Sequence, residues 1–221
     1  TDLSAALADA QPGDYIALAP GTHSGGVQVT QAIPIVGLGA GPLDTELSGS
    51  SMGLDLRAAA RLENLFISGS TYGLYSYGVS PQGRRLILEG ANPLYAYLSQ
   101  IELENVAFYG GQVWAQSAGI TGTQLSFVDS SLYATSSSYK VDLVSVVGND
   151  LTLSCASTST PLSLSYALYS TGSVGSCVSQ TAVFAGFDTG WSAYTGDPRD
   201  DDLSLISGSA GVDRGPTGCL D

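Results

Sequence analysis

Basic residues are scarce in this 221-residue chain, which has seven Lys and Arg against 20 Asp and Glu. The formal net charge of −13 argues against nucleic acid as a partner, because phosphate binding depends on clustered basic side chains. The same charge would repel polyuronates and anionic lipids. Long apolar runs are also missing: no stretch approaches the ~20 residues that cross a bilayer, so the sequence predicts no membrane span.

Histidine and cysteine are rare, with one His and three Cys. Without a CxxC pair, this set argues against a structural zinc site. His23, in the segment PGTHSGG, has no nucleophile or acid paired with it in the sequence and is predicted to be a turn residue. The acidic run lacks the spacing and glycine of an EF-hand loop and is predicted to be a solvated turn, at Asp197, Asp200, Asp201 and Asp202. No metal site is predicted, and calcium is the one cofactor left open.

The abundant residues are Gly, Ser, Thr and Tyr, a composition that favours a secreted or cell-surface protein. The first ten residues lack the basic and apolar regions of a signal peptide, so we expect an exported chain to have lost its signal. Cys155 and Cys177 are separated by 22 residues. Strands one repeat apart lie close enough for a disulfide, so these two are predicted to form one, and Cys219 is left over.

Segments of 19 to 21 residues repeat from Gly53 onward. Each contains two stretches of alternating apolar and other residues, and this period of two indicates strands. The later stretch is predicted to end in a turn residue, at Gly69, Gly90, Gly110, Asp129, Gly148 and Ser170. Its predicted core pairs are Leu65 and Ile67, Leu86 and Leu88, Val106 and Phe108, Leu125 and Phe127, Val144 and Val146, and Tyr166 and Leu168. Repeats of this length suit the coils of a parallel β-helix.

The two ends of the chain read LSAALADAQPGDYIALAPGTHSGGVQVTQAIPIVGLGAG (residues 3–41) and DPRDDDLSLISGSAGVDRG (residues 197–215). They resemble the opening and closing segments of pectate-lyase-like right-handed β-helix proteins. The resemblance implies an all-β, single-stranded right-handed parallel β-helix with coils of about 20 residues and an N-terminal capping helix. The helix would cover the first coil with one apolar face, formed by Leu3, Ala6, Leu7 and Ala10.

This resemblance divides the chain without splitting it into domains. Residues 1–221 form one domain, with the cap at 1–13, the coils at 14–186 and a C-terminal tail or closing segment at 187–221. The superfamily includes lyases, hydrolases, epimerases and adhesins, so the fold alone does not assign an activity.

Lyases of this superfamily bind calcium through carboxylates on one outer face and abstract a proton with a nearby basic residue. Asp55 and Arg57 are weak candidates for such a pair, and a surface ion pair is the alternative. When the coils are aligned, other carboxylates are predicted to form a ladder of ion pairs between strands, with Arg84 between Glu63 and Glu104. The same column continues through Thr123 and Asp142. The next column predicts polar side chains that bond from coil to coil, at Asn64, Arg85, Asn105 and Gln124.

Aromatic residues recur at one outward position of the earlier strand, where they should stack in a column. The predicted binding residues are Tyr75, Tyr95, Trp114 and Tyr133, widened by Tyr77 and Tyr97. Three alternatives remain open for what covers this face. The tail, residues 187–221 with Trp191 and Tyr194, could pack over it; another copy or a neighbouring protein could bind it; or sugar rings could lie on it.

We therefore expect a non-catalytic, structural or adhesive β-solenoid outside the cell or on its surface. It would bind another subunit, a surface or a glycan through the aromatic column, with self-assembly as a further hypothesis. The alternative is a secreted polysaccharide-acting lyase or hydrolase.

Overall fold

The computed structural model describes residues 2–135, 141–156, 162–175, 178–185, 191–193, 198–199 and 202–205. It contains one α-helix, α1 (Leu3–Asp9), and a short 3-10 turn at Pro42–Asp44. The strands are β1 (Ile16–Leu18), β2 (Gly21–Ser24), β3 (Val27–Val29), β4 (Ile35–Gly37), β5 (Thr45–Gly49), β6 (Met52–Leu56), β7 (Arg61–Gly69), β8 (Tyr72–Tyr77), β9 (Gln82–Glu89), β10 (Asn92–Tyr97), β11 (Gln100–Tyr109), β12 (Gln112–Gln116), β13 (Gly119–Val128), β14 (Ser131–Thr135), β15 (Val141–Cys155), β16 (Leu162–Val174), β17 (Val178–Ala185), β18 (Trp191–Ala193) and β19 (Asp202–Leu205).

Strands β1 to β17 pair in parallel from coil to coil and form three ladders. Ladder A runs through Ile16, Ile35, Leu62, Gly83, Leu103, Gly122, Leu143, Leu164 and Gln180. Ladder B runs through His23, Leu47, Ile67, Leu88, Phe108, Phe127, Gly148, Tyr169 and Ala185. Ladder C runs through Gln28, Asp55, Tyr75, Tyr95, Trp114, Tyr133 and Ser154. The chain is a right-handed parallel β-helix, which confirms the predicted fold class.

The core lies between the ladders and consists of stacked apolar columns. Its members are almost fully buried, among them Leu54, Leu65, Ile67, Leu74, Leu86, Leu88, Leu94, Val106, Phe108, Leu125, Phe127 and Leu132. The rings of Phe108 and Phe127 lie on adjacent coils with their centroids 4.9 Å apart. Each coil therefore buries its apolar side chains against the coils on either side, so its stability depends on its neighbours.

Helix α1 covers the N-terminal end of the solenoid, as the sequence predicted. The Asp2 side chain caps it by accepting a hydrogen bond from the backbone N–H of Ser4 at 2.9 Å. Leu3 and Leu7 are buried in the core cluster, and Ala6 and Ala10 pack against it. This apolar face shields the first coil, which would otherwise present an open strand edge.

A left-handed bend marks the corner between ladders A and B in four successive coils. The residues there have φ values of 57°, 52°, 53° and 55°, at Asn64, Arg85, Asn105 and Gln124. The Nδ2 group of Asn64 bonds to the preceding coil, as predicted, but it donates to the backbone carbonyls of Gly37 and Gly39, at 3.0 and 2.7 Å. Arg85 donates to the carbonyl of Ala40, two coils earlier, so this column shapes the corner as well as joining coils.

The predicted core pairs are wrong in the later coils. Leu125 pairs with Val146 and Phe127 with Gly148, so Val146 and Gly148 take the positions predicted for Val144 and Val146. The reason is two extra residues between Thr135 and Val141, in comparison with the coil before.

The same shift affects the predicted turns. Gly148 lies within β15 and Ser170 within β16, so neither ends a strand. Tyr166 and Leu168 pair with Ser145 and Val147, one residue out of the predicted register.

Candidate binding face

The predicted aromatic column is present on ladder C. Tyr75 pairs with Tyr95, Tyr95 with Trp114, and Trp114 with Tyr133. The second predicted column lies beside it, because Tyr77 pairs with Tyr97. We call these six residues the aromatic face: Tyr75, Tyr77, Tyr95, Tyr97, Trp114 and Tyr133.

The rings of the aromatic face contact one another along the solenoid axis. Tyr75 and Tyr95 are stacked, with centroids 5.4 Å apart and planes 6° from parallel. Tyr95 and Trp114 are also stacked, at 6.3 Å and 29°, whereas Trp114 and Tyr133 meet edge to face at 5.0 Å. Stacked rings cover one another's faces, so the Tyr75, Tyr95 and Trp114 stack offers mainly edges and hydroxyl groups outward.

Tyr72 also belongs to this cluster, although sequence reasoning missed it. Its ring meets those of Tyr75 and Tyr95 edge to face, at 5.6 and 5.4 Å. Strict alternation puts a residue three positions before Tyr75 on the opposite side of the strand. The only signal in the sequence was another tyrosine at the start of the same strand.

Asp55 and Arg57, the weak catalytic candidates, are brought together as an ion pair. Arg57 Nε lies 2.8 Å from Asp55 Oδ1, and Gln28 Nε2 donates to Asp55 Oδ2 at 2.9 Å. The hydrogen bond to Asp55 raises the pKa of Arg57 above its ordinary value, which keeps the guanidinium protonated. Its central carbon lies 5.1 Å from the ring centroid of Tyr75 and 4.9 Å from that of Tyr77. These are cation–π distances, so Arg57 caps one end of the column.

Charge is unevenly distributed over the solenoid. Among the described residues aligned with the aromatic face, Asp55 and Arg57 are the charged ones, and they neutralise each other. The other aligned side chains are neutral: Met52 is apolar, and polar side chains occur at Gln28, Asn92, Gln112, Gln116, Ser131, Thr135, Thr152 and Ser154. The aromatic face is therefore a neutral strip on a strongly acidic protein.

The outer side of ladder A carries several charged side chains, but the predicted ion ladder is only partly correct. Arg84 lies 3.5 Å from Glu104, as expected, whereas Glu63 pairs with Arg61 of its own strand at 2.7 Å. Asp142 is in register with Thr121 rather than Thr123. It belongs to the adjacent column because of the two extra residues in its coil.

The described tail residues Pro198 and Arg199 do not lie over the aromatic face. Arg199 contacts the outer side of ladder B, 3.1 Å from Glu46 and 3.6 Å from Glu89, with its guanidinium over the Phe66 ring. For Pro198 and Arg199, the prediction that the tail packs over the aromatic column is therefore wrong.

The remaining tail positions in that prediction, the Trp191 side chain and Tyr194, lie outside the described residues. So do Asp197, Asp200 and Asp201 of the acidic run, whereas Asp202 lies in strand β19, which pairs with β18.

His23 lies in strand β2 rather than in a turn, with its Nε2 2.7 Å from the carbonyl oxygen of Ala19.

Cys155 is disulfide-bonded. Cys177 and Cys219 lie outside the described residues, so the pairing of Cys155 with Cys177 stays a prediction.

Within the described ranges, no three His, Cys, Asp or Glu side chains gather as metal ligands. The helical structure in the same ranges includes nothing long and apolar enough to span a membrane.

Alkaline pH is expected to destabilise the fold through the aromatic face. Burial raises the pKa of Tyr75 and of Tyr95 above the ordinary value of 10.0. The folded state thus favours the protonated phenols, and this stabilisation is complete below pH 10.0 and is lost as the pH rises through the folded-state values. Urea midpoints measured from about pH 9 to 11 should fall, and should fall less in a Tyr75→Phe, Tyr95→Phe variant. An equal fall in both proteins would contradict the assignment.

No protein-family model matches the chain, and a search of curated proteins finds no match. Among solved structures, the chain is similar to an alginate lyase from Paenibacillus sp. str. FPU-7. The match has 14% sequence identity and a TM-score of 0.34, and covers 82% of this chain and 94% of that one.

Proposed function

We propose that the protein is a non-catalytic, structural or adhesive β-solenoid that acts outside the cell or on its surface and binds another protein subunit through the aromatic face. The observation that carries this proposal is the composition of that face. It combines five rings of Tyr and one of Trp with Arg57, and these residue types dominate the energetic centres of protein interfaces.

Charge and hydrogen-bonding capacity support a second copy of this chain as the subunit. Two molecules with a net charge of −13 repel each other over most of their surfaces, but the aromatic face brings no net charge into contact. The polar side chains that border the rings are amides and hydroxyls, which both donate and accept hydrogen bonds. Such a face is complementary to itself, as a two-fold contact requires.

The geometry favours a protein over a sugar chain as the occupant. Flat binding of a sugar uses an open ring face, but the faces of Tyr75 are covered by Arg57 on one side and Tyr95 on the other. The exposed edges and hydroxyl groups suit contacts with side chains and backbone of a second surface.

The size of the face predicts a weak and reversible association. Together with the side chains that border it along ladder C, the face occupies seven strands at ~4.8 Å and about five residues at ~3.3 Å, a strip of roughly 34 by 17 Å. This is less than the ~800 Å² per partner of a standard interface. Stable attachment would then require several such contacts at once.

Sedimentation across a concentration series should show reversible self-association, and a Tyr95→Ser, Trp114→Ser variant should associate at least ~10-fold more weakly, because two interface aromatics are lost. Tyr15→Ser is the matched control, since Tyr15 is 68% exposed and lies away from the face. The variant Trp191→Phe leaves Trp114 as the single tryptophan. The fluorescence emission of Trp114 should then shift to shorter wavelength when the molecules associate.

Three results would count against this proposal. A wild-type chain that stays monomeric at millimolar concentration would exclude the second copy as the partner. Binding to a glycan array that is lost in the double variant would favour a sugar ligand. Cleavage of a polysaccharide that is lost in Asp55→Ala would replace the binding role by catalysis.

A further inference from the structure

Tyr77 and Tyr97 form the most accessible ring pair of the aromatic face. They are directly opposite each other on strands β8 and β10, and their ring centroids are 5.3 Å apart. Tyr77 is 40% exposed, so a diffusible oxidant can reach it. Leu98, which follows Tyr97, is 42% exposed, so this edge of the face is open to solvent.

We propose that Tyr77 and Tyr97 are the site of an oxidative cross-link that joins two adjacent coils, with hydrogen peroxide and a haem peroxidase as the oxidant. Each phenol loses one electron and one proton, and the two radicals form a carbon–carbon bond between the carbons ortho to their hydroxyl groups. The hydrogen on each bonded carbon then moves to the phenol oxygen, which restores both rings. The peroxide takes up the two electrons and two protons and becomes two molecules of water.

The relative orientation of the rings selects this pair. The planes of Tyr77 and Tyr97 are tilted by 54°, and two phenol rings joined at their ortho carbons are likewise twisted rather than coplanar. Tyr75 and Tyr95 are only 6° from parallel, which places ring faces rather than ring edges together. The hydroxyl group of Tyr95 also donates a hydrogen bond to Gln116 Oε1. Bond formation between Tyr77 and Tyr97 therefore needs a smaller movement of the two rings than bond formation between Tyr75 and Tyr95.

This cross-link requires no partner on the aromatic face, and it would act on the solenoid itself. Twenty residues separate the two tyrosines, so the new bond would close a loop of one coil. Closing such a loop restricts the unfolded chain, as a disulfide does. The oxidised monomer should therefore unfold at a higher temperature than the untreated protein.

The test treats dilute purified protein with a haem peroxidase and limiting hydrogen peroxide. We expect dityrosine fluorescence in a product that still migrates as a monomer, with a yield per molecule that is independent of protein concentration. Mass spectrometry of the digest should find the Tyr77 and Tyr97 peptides joined with the loss of two hydrogens. Tyr77→Phe and Tyr97→Phe should each reduce this intramolecular product at least tenfold, whereas Tyr75→Phe should retain it.

All of these variants keep their aromatic rings, so we expect them to fold. Circular dichroism spectra and melting temperatures close to those of the wild type will verify this. Tyr15→Phe should reduce cross-links between molecules, since Tyr15 is 68% exposed, without reducing the intramolecular product. The proposal is overturned if dityrosine forms only between molecules, if fragmentation of the joined peptides places the cross-link at Tyr75 and Tyr95, or if Tyr77→Phe leaves the intramolecular yield unchanged.

Discussion

Replacing Phe108 by alanine is expected to lower the free energy of unfolding by about 3 to 5 kcal/mol, the range for deletion of a buried aromatic ring. Phe108 is 1% exposed, and Phe127, which packs against it from the next coil, is fully buried. The substitution leaves a cavity between two coils, so it weakens the contacts on which both depend. Urea unfolding followed by circular dichroism measures the change.

Leu38→Ala is the matched control, because Leu38 is also a large apolar residue but is 60% exposed. Its effect should stay within about 0.5 kcal/mol. The stacked core would not be the main source of stability if Phe108→Ala lowered the free energy of unfolding no more than Leu38→Ala does. This comparison requires that the slope of the free energy of unfolding with urea concentration is the same in both variants.

Gly111→Ala should destabilise the protein by at least about 2 kcal/mol, because it combines backbone strain with a steric clash. Gly111 has a φ of +55°, and an added Cβ would lie 1.8 Å from the carbonyl oxygen of Ala91 on the preceding coil. The Ala91 carbonyl accepts a hydrogen bond from the Gln112 N–H, and the Gly111 carbonyl accepts one from the Ser131 N–H, so a shift that relieves the clash would strain these bonds between coils. Thermal or urea unfolding of the purified variant tests the prediction.

Gly41→Ala separates this clash from the general effect of replacing a glycine. Gly41 has an extended φ of −134°, and an added Cβ would meet nothing within 4 Å. We expect this variant to be neutral or stabilised by about 0.4 to 1 kcal/mol, since alanine restricts the unfolded chain. Equal losses in the two variants would show that close coil stacking at Gly111 is not responsible.

The sequence was sufficient for the fold and for the aromatic column because both depend only on spacing. A period of about twenty residues predicts parallel coils, and the alternation of period two within a strand decides which side chains point outward. Tyr75, Tyr95 and Trp114 therefore aligned correctly without any knowledge of their contacts.

The errors arose where spacing and local chemistry disagree. Gly148 looked like a turn residue, but the two extra residues before Val141 move it into ladder B. Glu63 is in register with Arg84, as predicted, but its carboxylate pairs with Arg61 of its own strand at 2.7 Å.

Other features of the site depend on contacts that spacing does not reveal. The position of Arg57 over two rings depends on its side-chain conformation, which Asp55 fixes. The left-handed bends at Arg85 and Gln124 are not predictable from residue type, because neither residue favours that conformation.

The recurring corner bend makes one coil an exchangeable unit. Since four successive coils turn at an equivalent residue and Tyr95 pairs with Trp114, 19 residues later, residues 92–110 begin and end in matching positions of the solenoid. Duplicating this segment would lengthen the aromatic face by Tyr95 and Tyr97 and leave every column in register. A single added residue within a strand would instead turn outward rings toward the core. The reach of the aromatic face can thus change only in steps of a whole coil.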